Sequence, residues 1–464
     1  MRVRLDGRMP TTLVALAVCA AAGAVARRDA VAAKGRALDA HVIHREVIPS
    51  FSRQTGLKCT QCHTTFPYLT PFGRRFKLNG YTLTGLQLIE AGDSGPRTLK
   101  IDLISPVSTM IVASVTQART PQPGTQNGNA EFPQQVSLFL GEAITPNLGT
   151  FLQFTYDAAG GSFRIDNVDI RYANDGRVGS KEVLYGISLN NNPTVQDVWN
   201  STPAWRVPFM SSAVAPTPAA APLVDGRLAQ RVAGLGGYAL WDNRVYGELS
   251  AYRSAPQGGP HPPDSSAERT IRGVAPYWRL AWQHGWRSQY LAIGTYGLST
   301  TLYPTGVTGR TDRYTDVAWD AQYERRLAGG NLTAHATWIH ERQDLAGTLA
   351  AGAAATGSST LRTFRADAAF YTAGRVGATL AYFSTAGGRD TLRYRPAPVV
   401  GSRTGRPNSS GLIGELDFLP WWNTRFALQY VAYASFNGAG DDYDGFGRTA
   451  SDNNTLYLLA WLVF

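Results

Sequence analysis

Thr424-Arg-Phe-Ala-Leu-Gln-Tyr-Val-Ala-Tyr-Ala-Ser-Phe436 is the stretch that decides the fold class. One set of alternating positions is apolar: Phe426, Leu428, Tyr430, Ala432, Ala434 and Phe436. The other set includes Arg425, Gln429 and Ser435. Alternation with a period of two predicts a strand with one greasy and one polar face. A water-soluble sandwich would show the same pattern, so this stretch alone leaves that alternative open.

The same texture continues from about Val107 to the end of the chain. Residues 316–324 and 412–418 repeat the alternation of apolar and charged side chains. Counting such runs gives about sixteen strands, an even number, as single-chain membrane barrels require. The sequence therefore favours an antiparallel barrel whose apolar face is turned outward to lipid.

The connections between these runs alternate in length. Tight turns are predicted at Pro146-Asn147, Asp175-Gly176, Asp242-Asn243, His284-Gly285, Ala328-Gly329, Ala373-Gly374 and Pro420-Trp421-Trp422. Long connections are predicted at 119–133, 190–226, 255–270, 345–358, 385–411 and 437–452. Short periplasmic turns and long outer loops produce this alternation. Trp286, Trp421 and Trp422 at the tight turns fit an interfacial aromatic belt. The longest loop carries the Ala/Pro-rich stretch 213–222, for which an inward fold and a flexible loop both stay open.

The chain ends on apolar residues at every second position and a terminal aromatic: Leu456, Leu458, Ala460, Leu462 and Phe464. This last strand resembles the ending of bacterial outer-membrane barrels. We therefore expect a mainly β protein, with a barrel of about sixteen strands over residues 98–464. A small helical segment precedes it.

Residues 1–26 carry an export signal. Arg2, Arg4 and Arg8 precede an apolar run that begins at Thr11, and Ala24-Val-Ala26 follows. A basic start, a short greasy middle and an A-x-A end predict a cleaved secretory signal. An uncleaved anchor and lipidation at Cys19 are the weaker alternatives. Past Ala26 no apolar run is long enough for a membrane helix, so strands must make any crossing.

The formal net charge is +10. The cations are scattered through alternating segments and form no basic stripe with interleaved aromatics. The sequence therefore predicts that nucleic acid is not a partner.

Cys59-Thr-Gln-Cys62-His63 is the motif that carries chemistry. Two thiols at this spacing with a histidine directly after the second predict a haem bonded to both cysteines and ligated by the histidine. A thioredoxin-type disulfide would need a βαβ pattern, which does not surround the motif. A zinc half-site would need a second Cys or His pair, and no cysteine follows Cys62.

Residues 27–97 form the segment around this motif, and they are too few and too polar to enclose a porphyrin alone. Pro71 suits the first turn of a helix, and Asn79-Gly80 suits its end. Phe72 and Phe76 would share the face turned to the haem. Arg74, Arg75 and Lys77 would lie near its propionates or in water.

The stretch Ser52-Arg-Gln-Thr-Gly-Leu-Lys-Cys59-Thr-Gln-Cys-His63-Thr-Thr-Phe-Pro67-Tyr-Leu69, with Phe72-Gly-Arg74 and Phe76-Lys-Leu-Asn-Gly80-Tyr81 after it, resembles the fused cytochrome-porin family. Its best-known members are the outer-membrane iron-oxidising cytochromes. The matching motif covers about residues 49 to 83, and the barrel matches in length and ending.

The resemblance implies one covalent haem c at or inside the barrel, with Cys59 and Cys62 attaching it and His63 as the proximal iron ligand. It implies an oxidoreductase of the outer membrane that takes electrons from extracellular Fe(II). A periplasmic cytochrome c or cupredoxin would accept them. Two alternatives are a passive porin whose haem segment is a plug or sensor, and outward electron transfer to an extracellular acceptor.

The sixth iron ligand is open. Met110 is the first candidate, since its parity in the first strand turns it to the lumen. The other candidates are Met210 in the longest loop, His41, His44 and His335, or a site without a protein ligand. Met110 could equally be a space-filling side chain inside the barrel.

Two groups of carboxylates complete the inventory. Asp441, Asp442 and Asp444 cluster in a predicted outer loop, where they could gather a divalent cation or merely be solvated. The predicted inward-facing charges are Asp316, Asp320, Glu324, Arg365, Asp367, Glu415 and Asp417. They would keep the lumen polar.

Overall fold

The computed structural model describes residues 49–83 and 106–464, except residues 159, 205–209, 259, 261 and 373–374. The predictions for the export signal, Cys19, His41, His44 and the boundary near residue 97 lie outside the described residues. Within the described part of the chain, no helix has the length and hydrophobicity needed to cross a bilayer.

Long antiparallel strands make up most of the described chain. The first seven are β3 (Val107–Ala118), β4 (Asn129–Thr145), β5 (Leu148–Asp157), β6 (Ser162–Val178), β7 (Lys181–Asn190), β8 (Val232–Trp241) and β9 (Val245–Ser254). The next five are β11 (Ala275–Trp286), β12 (Gln289–Thr305), β13 (Asp312–Leu327), β14 (Gly330–Asp344) and β15 (Ser358–Thr372). The last four are β16 (Val376–Gly387), β17 (Ser409–Trp421), β18 (Thr424–Ser435) and β19 (Thr455–Val463).

These strands close into a barrel of sixteen. Each strand pairs with the next along the chain, and the last pairs with the first, with Thr455 opposite Ala118 and Val463 opposite Met110. A short additional strand, β10 (Glu268–Ile271), pairs with the C-terminal end of β12. The predicted sixteen-stranded antiparallel barrel is confirmed.

The barrel exposes its apolar face. In β18, the apolar Leu428 and Tyr430 are 41% and 48% exposed. The polar Arg425 and Gln429 of the same strand are buried, with exposed fractions of 2% and 1%. A soluble sandwich would bury the apolar set, so that alternative is wrong. A closed barrel with a greasy exterior and a polar interior is the architecture of outer-membrane barrels.

Tight and long connections alternate as predicted. Two predicted turns are misplaced by three to four residues: Asp175-Gly176 lies inside β6 and His284-Gly285 inside β11. Both strands run on to hairpins at residues 179–180 and 287–288, because residues near a turn stay paired. The tight turns and the start and end of the barrel lie at one end, the periplasmic end by their length. The long loops lie at the other.

The segment before the barrel is built from short elements. They are α1 (Ser50–Thr55), α2 (Cys59–Cys62), β1 (His63–Thr65), β2 (Tyr68–Leu69) and α3 (Pro71–Leu78). Thr70 caps α3, since its hydroxyl accepts a hydrogen bond from the Gly73 amide at 3.1 Å. The predicted helix from Pro71 to the Asn79-Gly80 end is therefore present.

This segment is seated against the inner wall of the barrel. The Tyr238 hydroxyl of β8 donates to the Leu78 carbonyl at 2.6 Å. Tyr81 donates to Asp169 of β6 at 2.6 Å. Gly149 of β5 is the point of closest approach, because a Cβ there would collide with the Gly80 carbonyl. The helical segment thus fills the tight-turn end of the lumen.

The longest loop, residues 191–231, folds inward. It carries α4 (Pro193–Gln196) and a π-type turn at Leu223–Arg227. Its contacts reach opposite sides of the barrel, from the Ser212 hydroxyl with Thr116 of β3 at 2.7 Å to the Val224 amide with Asp316 of β13 at 2.7 Å. Of the two conformations left open by the sequence, the inward one is present.

Candidate haem site

The short helix α2 brings both cysteines to the surface of one cavity. His63 follows as the first residue of β1, and a turn at Phe66-Pro67 leads back to β2. The Thr70 amide donates to the Cys62 carbonyl at 2.9 Å, which ties the motif to the start of α3. Gly73 of α3 permits this approach, since any Cβ there would meet the Cys62 carbonyl.

The structure adds no support for the two alternative interpretations of the motif, a disulfide and a zinc site. Cys59 and Cys62 are free thiols, both partly buried. The described residues contain no group of three or more His, Cys, Asp or Glu side chains that could hold a metal ion.

A cavity of about 510 Å³ lies between the motif and the barrel wall. Cys59, Cys62 and His63 line one side. The aromatic and aliphatic lining comes from both the segment and the wall: Phe66, Phe76, Tyr81, Phe139, Phe151, Val198, Trp461 and Val463. The volume falls within the range of roughly 300 to 1,000 Å³ that is typical of cofactor sites.

The imidazole of His63 is in the protonation state that iron requires. Burial lowers the pKa of His63 to about 4, against the opposing effect of the Pro67 and Tyr68 carbonyls. Its buried Nδ1 has no hydrogen-bond partner among the described residues. The ring is therefore neutral near pH 7 and able to ligate a metal.

The second thiol is kept protonated. Burial, with a smaller effect from Cys59, raises the pKa of Cys62 to about 11. Two free cysteines and a neutral imidazole facing an apolar cavity fit a c-type haem. When bound, the haem would supply a one-electron Fe(II)/Fe(III) couple.

The helix face predicted to meet the haem is half right. Phe76 is buried and lines the cavity, but Phe72 is 42% exposed and points away from it. The helix is oriented so that Gly73 and Phe76, rather than Phe72, face the cavity and the motif.

The three cationic side chains of α3 lie in three different environments. Arg74 is buried against the barrel, with its Nη1 2.8 Å from the Glu324 carboxylate and its guanidinium 4.2 Å from the centre of the Tyr290 ring. The expected place near propionates or in water is wrong for this residue. Arg75 is exposed beside Glu182 at 3.7 Å. Lys77 lines the cavity.

Lys77 is held by the inward loop. It donates to the Val195 carbonyl and lies 3.8 Å from Asp169. Burial lowers the pKa of Lys77 to about 8, against the attraction of Asp169. It is the only one of the three α3 cations placed to meet a propionate within the described cavity.

Met110 points into the lumen, as its parity predicted, and is fully buried. It packs in a cluster with Met210 and Trp461, and Phe66 lies against this cluster. Met210 belongs to the cluster because the loop that carries it folds inward. Neither methionine is among the residues that line the cavity, so Met110 as the distal ligand stays a prediction.

His335 also faces inward. Its Nδ1 lies 3.0 Å from an Asp367 oxygen, and its ring centroid is 4.1 Å from that of Tyr68. This is the hydrogen-bonded role that a lone histidine more often has.

Several residues that line the cavity were not predicted from the sequence to do so. Tyr371, Arg375 and Arg425 line the cavity near the tight turns. Arg425 pairs with Glu415 and, at 2.7 Å, with Asp417. The parity of β18 places Arg425 inward, but only the closed barrel shows that it lines the same cavity as the motif.

The outer-loop carboxylates Asp442 and Asp444 form hydrogen bonds and an ion pair with other residues of the outer loops. Asp444 is buried and accepts from the amides of Val399 at 3.0 Å and Phe446 at 2.8 Å. Asp442 accepts from the Gly447 amide and pairs with Arg403 at 3.2 Å. The suggestion of a cation-gathering cluster is not supported, because two of its three members already have backbone or arginine partners.

No protein-family model matches the chain, and no curated protein sequence matches it. Among solved structures, OmpF of Salmonella typhi in complex with daunomycin is 11% identical and covers 77% of this chain and 97% of its own, with a TM-score of 0.45. The anion-selective porin from Comamonas acidovorans is 10% identical over 77% and 98% of the two chains, with a TM-score of 0.45. The channel DcaP of Acinetobacter baumannii is 10% identical over 77% and 96%, with a TM-score of 0.44.

The fold assignment comes from the closed barrel and its apolar exterior. The chain is a sixteen-stranded β-barrel of the bacterial outer membrane, with the Cys59–His63 motif held inside its tight-turn end.

Proposed function

We propose that the chain is an outer-membrane c-type cytochrome fused to a barrel. It takes electrons from extracellular ferrous iron through one covalent haem and passes them to a periplasmic carrier, a cytochrome c or a cupredoxin. The insoluble ferric product would stay outside the cell.

One observation carries the proposal: the cavity between the motif and the wall. Two free thiols and a neutral imidazole face an apolar space that the segment alone could not enclose. The barrel supplies the missing walls through Phe139, Phe151 and Trp461. A haem-binding segment that needs a barrel to complete its pocket is a reason for the two to be one chain.

The residues of the chain have distinct roles in this proposal. Cys59 and Cys62 would hold the cofactor, and His63, the first residue of β1, would ligate its iron. Phe66, Phe76 and Trp461 exclude water from it, which favours a raised potential because a low dielectric disfavours the more charged ferric state. Arg375, Trp422 and Asn423 line the cavity at the tight-turn end, where a periplasmic carrier would approach.

The inward loop supports electron transfer over free diffusion. The Asp225 carboxylate of the loop accepts hydrogen bonds from both terminal guanidinium nitrogens of Arg365, at 2.6 and 3.0 Å. Arg279 lies 2.7 Å from Asp320 of the wall and 3.6 Å from Asp197 of the loop. The loop, joined to the wall across the middle, and the segment at the periplasmic end both narrow the lumen for solute passage.

The decisive experiment is a titration of the purified, haem-loaded protein with ferrous ion, followed by its optical spectrum. We expect reduction of the haem by ferrous ion across the acidic to neutral range and reoxidation by a soluble high-potential cupredoxin. Absence of reduction at every pH tested would remove ferrous iron as the donor. A low midpoint potential would instead favour outward transfer to an extracellular acceptor.

A passive porin is the second candidate, because the lumen wall carries many ion pairs and amides that would suit a hydrated channel. Conductance in planar bilayers separates the two. The conduit proposal predicts small or no single-channel conductance for the wild type and an increase in Asp225→Asn, which releases the latch to Arg365. Large conductance in the haem-loaded wild type would favour the porin.

A further inference from the structure

Three arginines stand on the lipid-facing side of the barrel at the end that carries the long loops. Arg313, Arg342 and Arg362, called the arginine row below, lie on the neighbouring strands β13, β14 and β15 and are exposed. None of them forms an ion pair with another described residue. Their guanidinium groups are therefore open to a partner from outside the described chain.

The strand register fixes their height relative to the membrane. Trp319, Trp338 and Phe364 lie opposite one another on the same three strands and are 55%, 39% and 39% exposed. Exposed aromatic rings side by side on the outer surface mark the membrane interface.

The arginine row begins one pair beyond this aromatic line, toward the long loops. Arg362 lies opposite His340, and the ring of His340 stacks on that of Trp338 with centroids 5.9 Å apart. Arg342 lies opposite Thr360 and Thr315, and Arg313 lies opposite Asp344. The outer surface thus changes from aromatic rings to guanidinium and hydroxyl groups within two residue pairs.

The three arginines are diagonal neighbours on the sheet, at a backbone spacing of roughly 7 to 8 Å per step. Their side chains can therefore converge on a single polyanionic group. Asp344 is the one carboxylate of the described residues on this part of the surface, so positive charge dominates. Guanidinium groups bind phosphate through paired hydrogen bonds, and their aliphatic stems can lie along the apolar belt below.

We propose that the arginine row binds the phosphorylated headgroup of an outer-leaflet lipid. The long loops place it in the outer leaflet, and the aromatic line directly beneath it would contact the acyl chains of the same molecule. A soluble protein partner is disfavoured because the site lies on the barrel side wall beside the belt, below the loops. This inference is independent of the haem and of the proposed electron transfer.

The test is retention of a phosphorylated lipid by the full-length, detergent-purified protein, measured by native mass spectrometry. The probes are diphosphoryl lipid A and the same lipid with both phosphates removed. The test variant is R313Q/R342Q/R362Q. A matched control, R287Q/R325Q/R326Q, removes three exposed arginines at the opposite, tight-turn end. Folding of each variant is checked by its heat-modifiable migration in gels.

We expect the wild type and the control to retain diphosphoryl lipid A and the test variant to retain at least about tenfold less. The dephosphorylated lipid should be retained weakly by all three. Should the triple variant fail to fold, the single substitution Arg342→Gln, at the centre of the row, should lower retention about fivefold. Equal retention by the folded test variant and the wild type would overturn the proposal. Equal binding of the dephosphorylated lipid, or full displacement of lipid A by millimolar inorganic phosphate, would do so as well.

Discussion

At the residue scale, side-chain direction was the most predictable property. Period-two alternation placed Arg425, Met110 and His335 inside the barrel, and all three are there. The sequence could not pair an inward-facing or helical residue with a partner hundreds of positions away. Arg74 is the clearest case, since its partner Glu324 lies 250 residues further along the chain. A short amphipathic helix indicates a solvated basic side, and only the enclosing wall turns one cation into a buried ion pair.

The Arg74–Glu324 pair gives a prediction about stability. Arg74→Gln leaves the Glu324 carboxylate in the wall without its cation, so we expect a loss of about 3 to 5 kcal/mol in unfolding free energy. Arg75→Gln, on the same helix but exposed, should change it by less than about 0.5 kcal/mol. Urea unfolding in micelles measures both. Equal effects of the two substitutions would show that the buried pair does not hold the segment in the barrel.

His63 gives a prediction about pH. Its folded pKa of about 4 lies below the unfolded value, so between about pH 6.5 and 4 the unfolded chain binds the extra proton. Stability from this residue is therefore full above pH 6.5 and lost as the pH falls toward 4, by at most about 3 kcal/mol. Haem-free protein with Cys59 and Cys62 replaced by alanine is the sample.

The measurement compares this haem-free protein with the same protein carrying His63→Phe, across pH 7 to 4. The second protein should lose less stability on acidification, because its position 63 takes up no proton. Parallel pH profiles for the two would mean that the imidazole is solvated rather than buried.

At the element scale, strands and turns followed from the sequence, but the path of the long loop did not. Tight turns were found from Gly, Asn and Asp clusters, with errors of three to four residues where a hairpin stays paired beyond its turn signals. The inward fold of residues 191–231 depends on contacts with strands that are far apart in the chain, among them β3, β6, β13 and β18. Nothing local in an Ala/Pro-rich stretch specifies such contacts.

The seating of the haem segment depends on one close approach between elements. A side chain at Gly149 of β5 would collide with the Gly80 carbonyl just after α3, and a backbone atom cannot step aside as a flexible side chain can. Gly149→Ala should therefore loosen the segment while the barrel still closes. Limited proteolysis of the folded protein should then cut within residues 49–83 several times faster than in the wild type.

Gly414→Ala is the matched control, because a Cβ at this strand glycine of β17 meets nothing within 4 Å. Its proteolysis rate should equal that of the wild type. A Gly149→Ala protein as resistant as the control would mean that the segment is not held against β5.

At the scale of the whole molecule, the sequence was sufficient for the architecture and for the motif but not for the way they combine. Alternating faces, turn lengths and the terminal strand predicted the barrel, and the spacing of Cys59, Cys62 and His63 predicted the haem site. The shared cavity could not be predicted, because its walls come from strands at both ends of the chain, such as Phe139 in β4 and Trp461 in β19. The donor and the direction of electron flow are proposals that depend on redox potential.

The central claim is that a haem is covalently attached to this motif inside the barrel. The most direct measurement is haem staining of the denatured protein from the outer-membrane fraction, comparing the wild type with Cys59→Ala/Cys62→Ala. We predict one stained band at the mass of the mature chain for the wild type. The double variant should give an unstained band of equal abundance that still shows barrel-type heat-modifiable migration. A colourless wild-type band, or stain that persists in the double variant, would contradict the account.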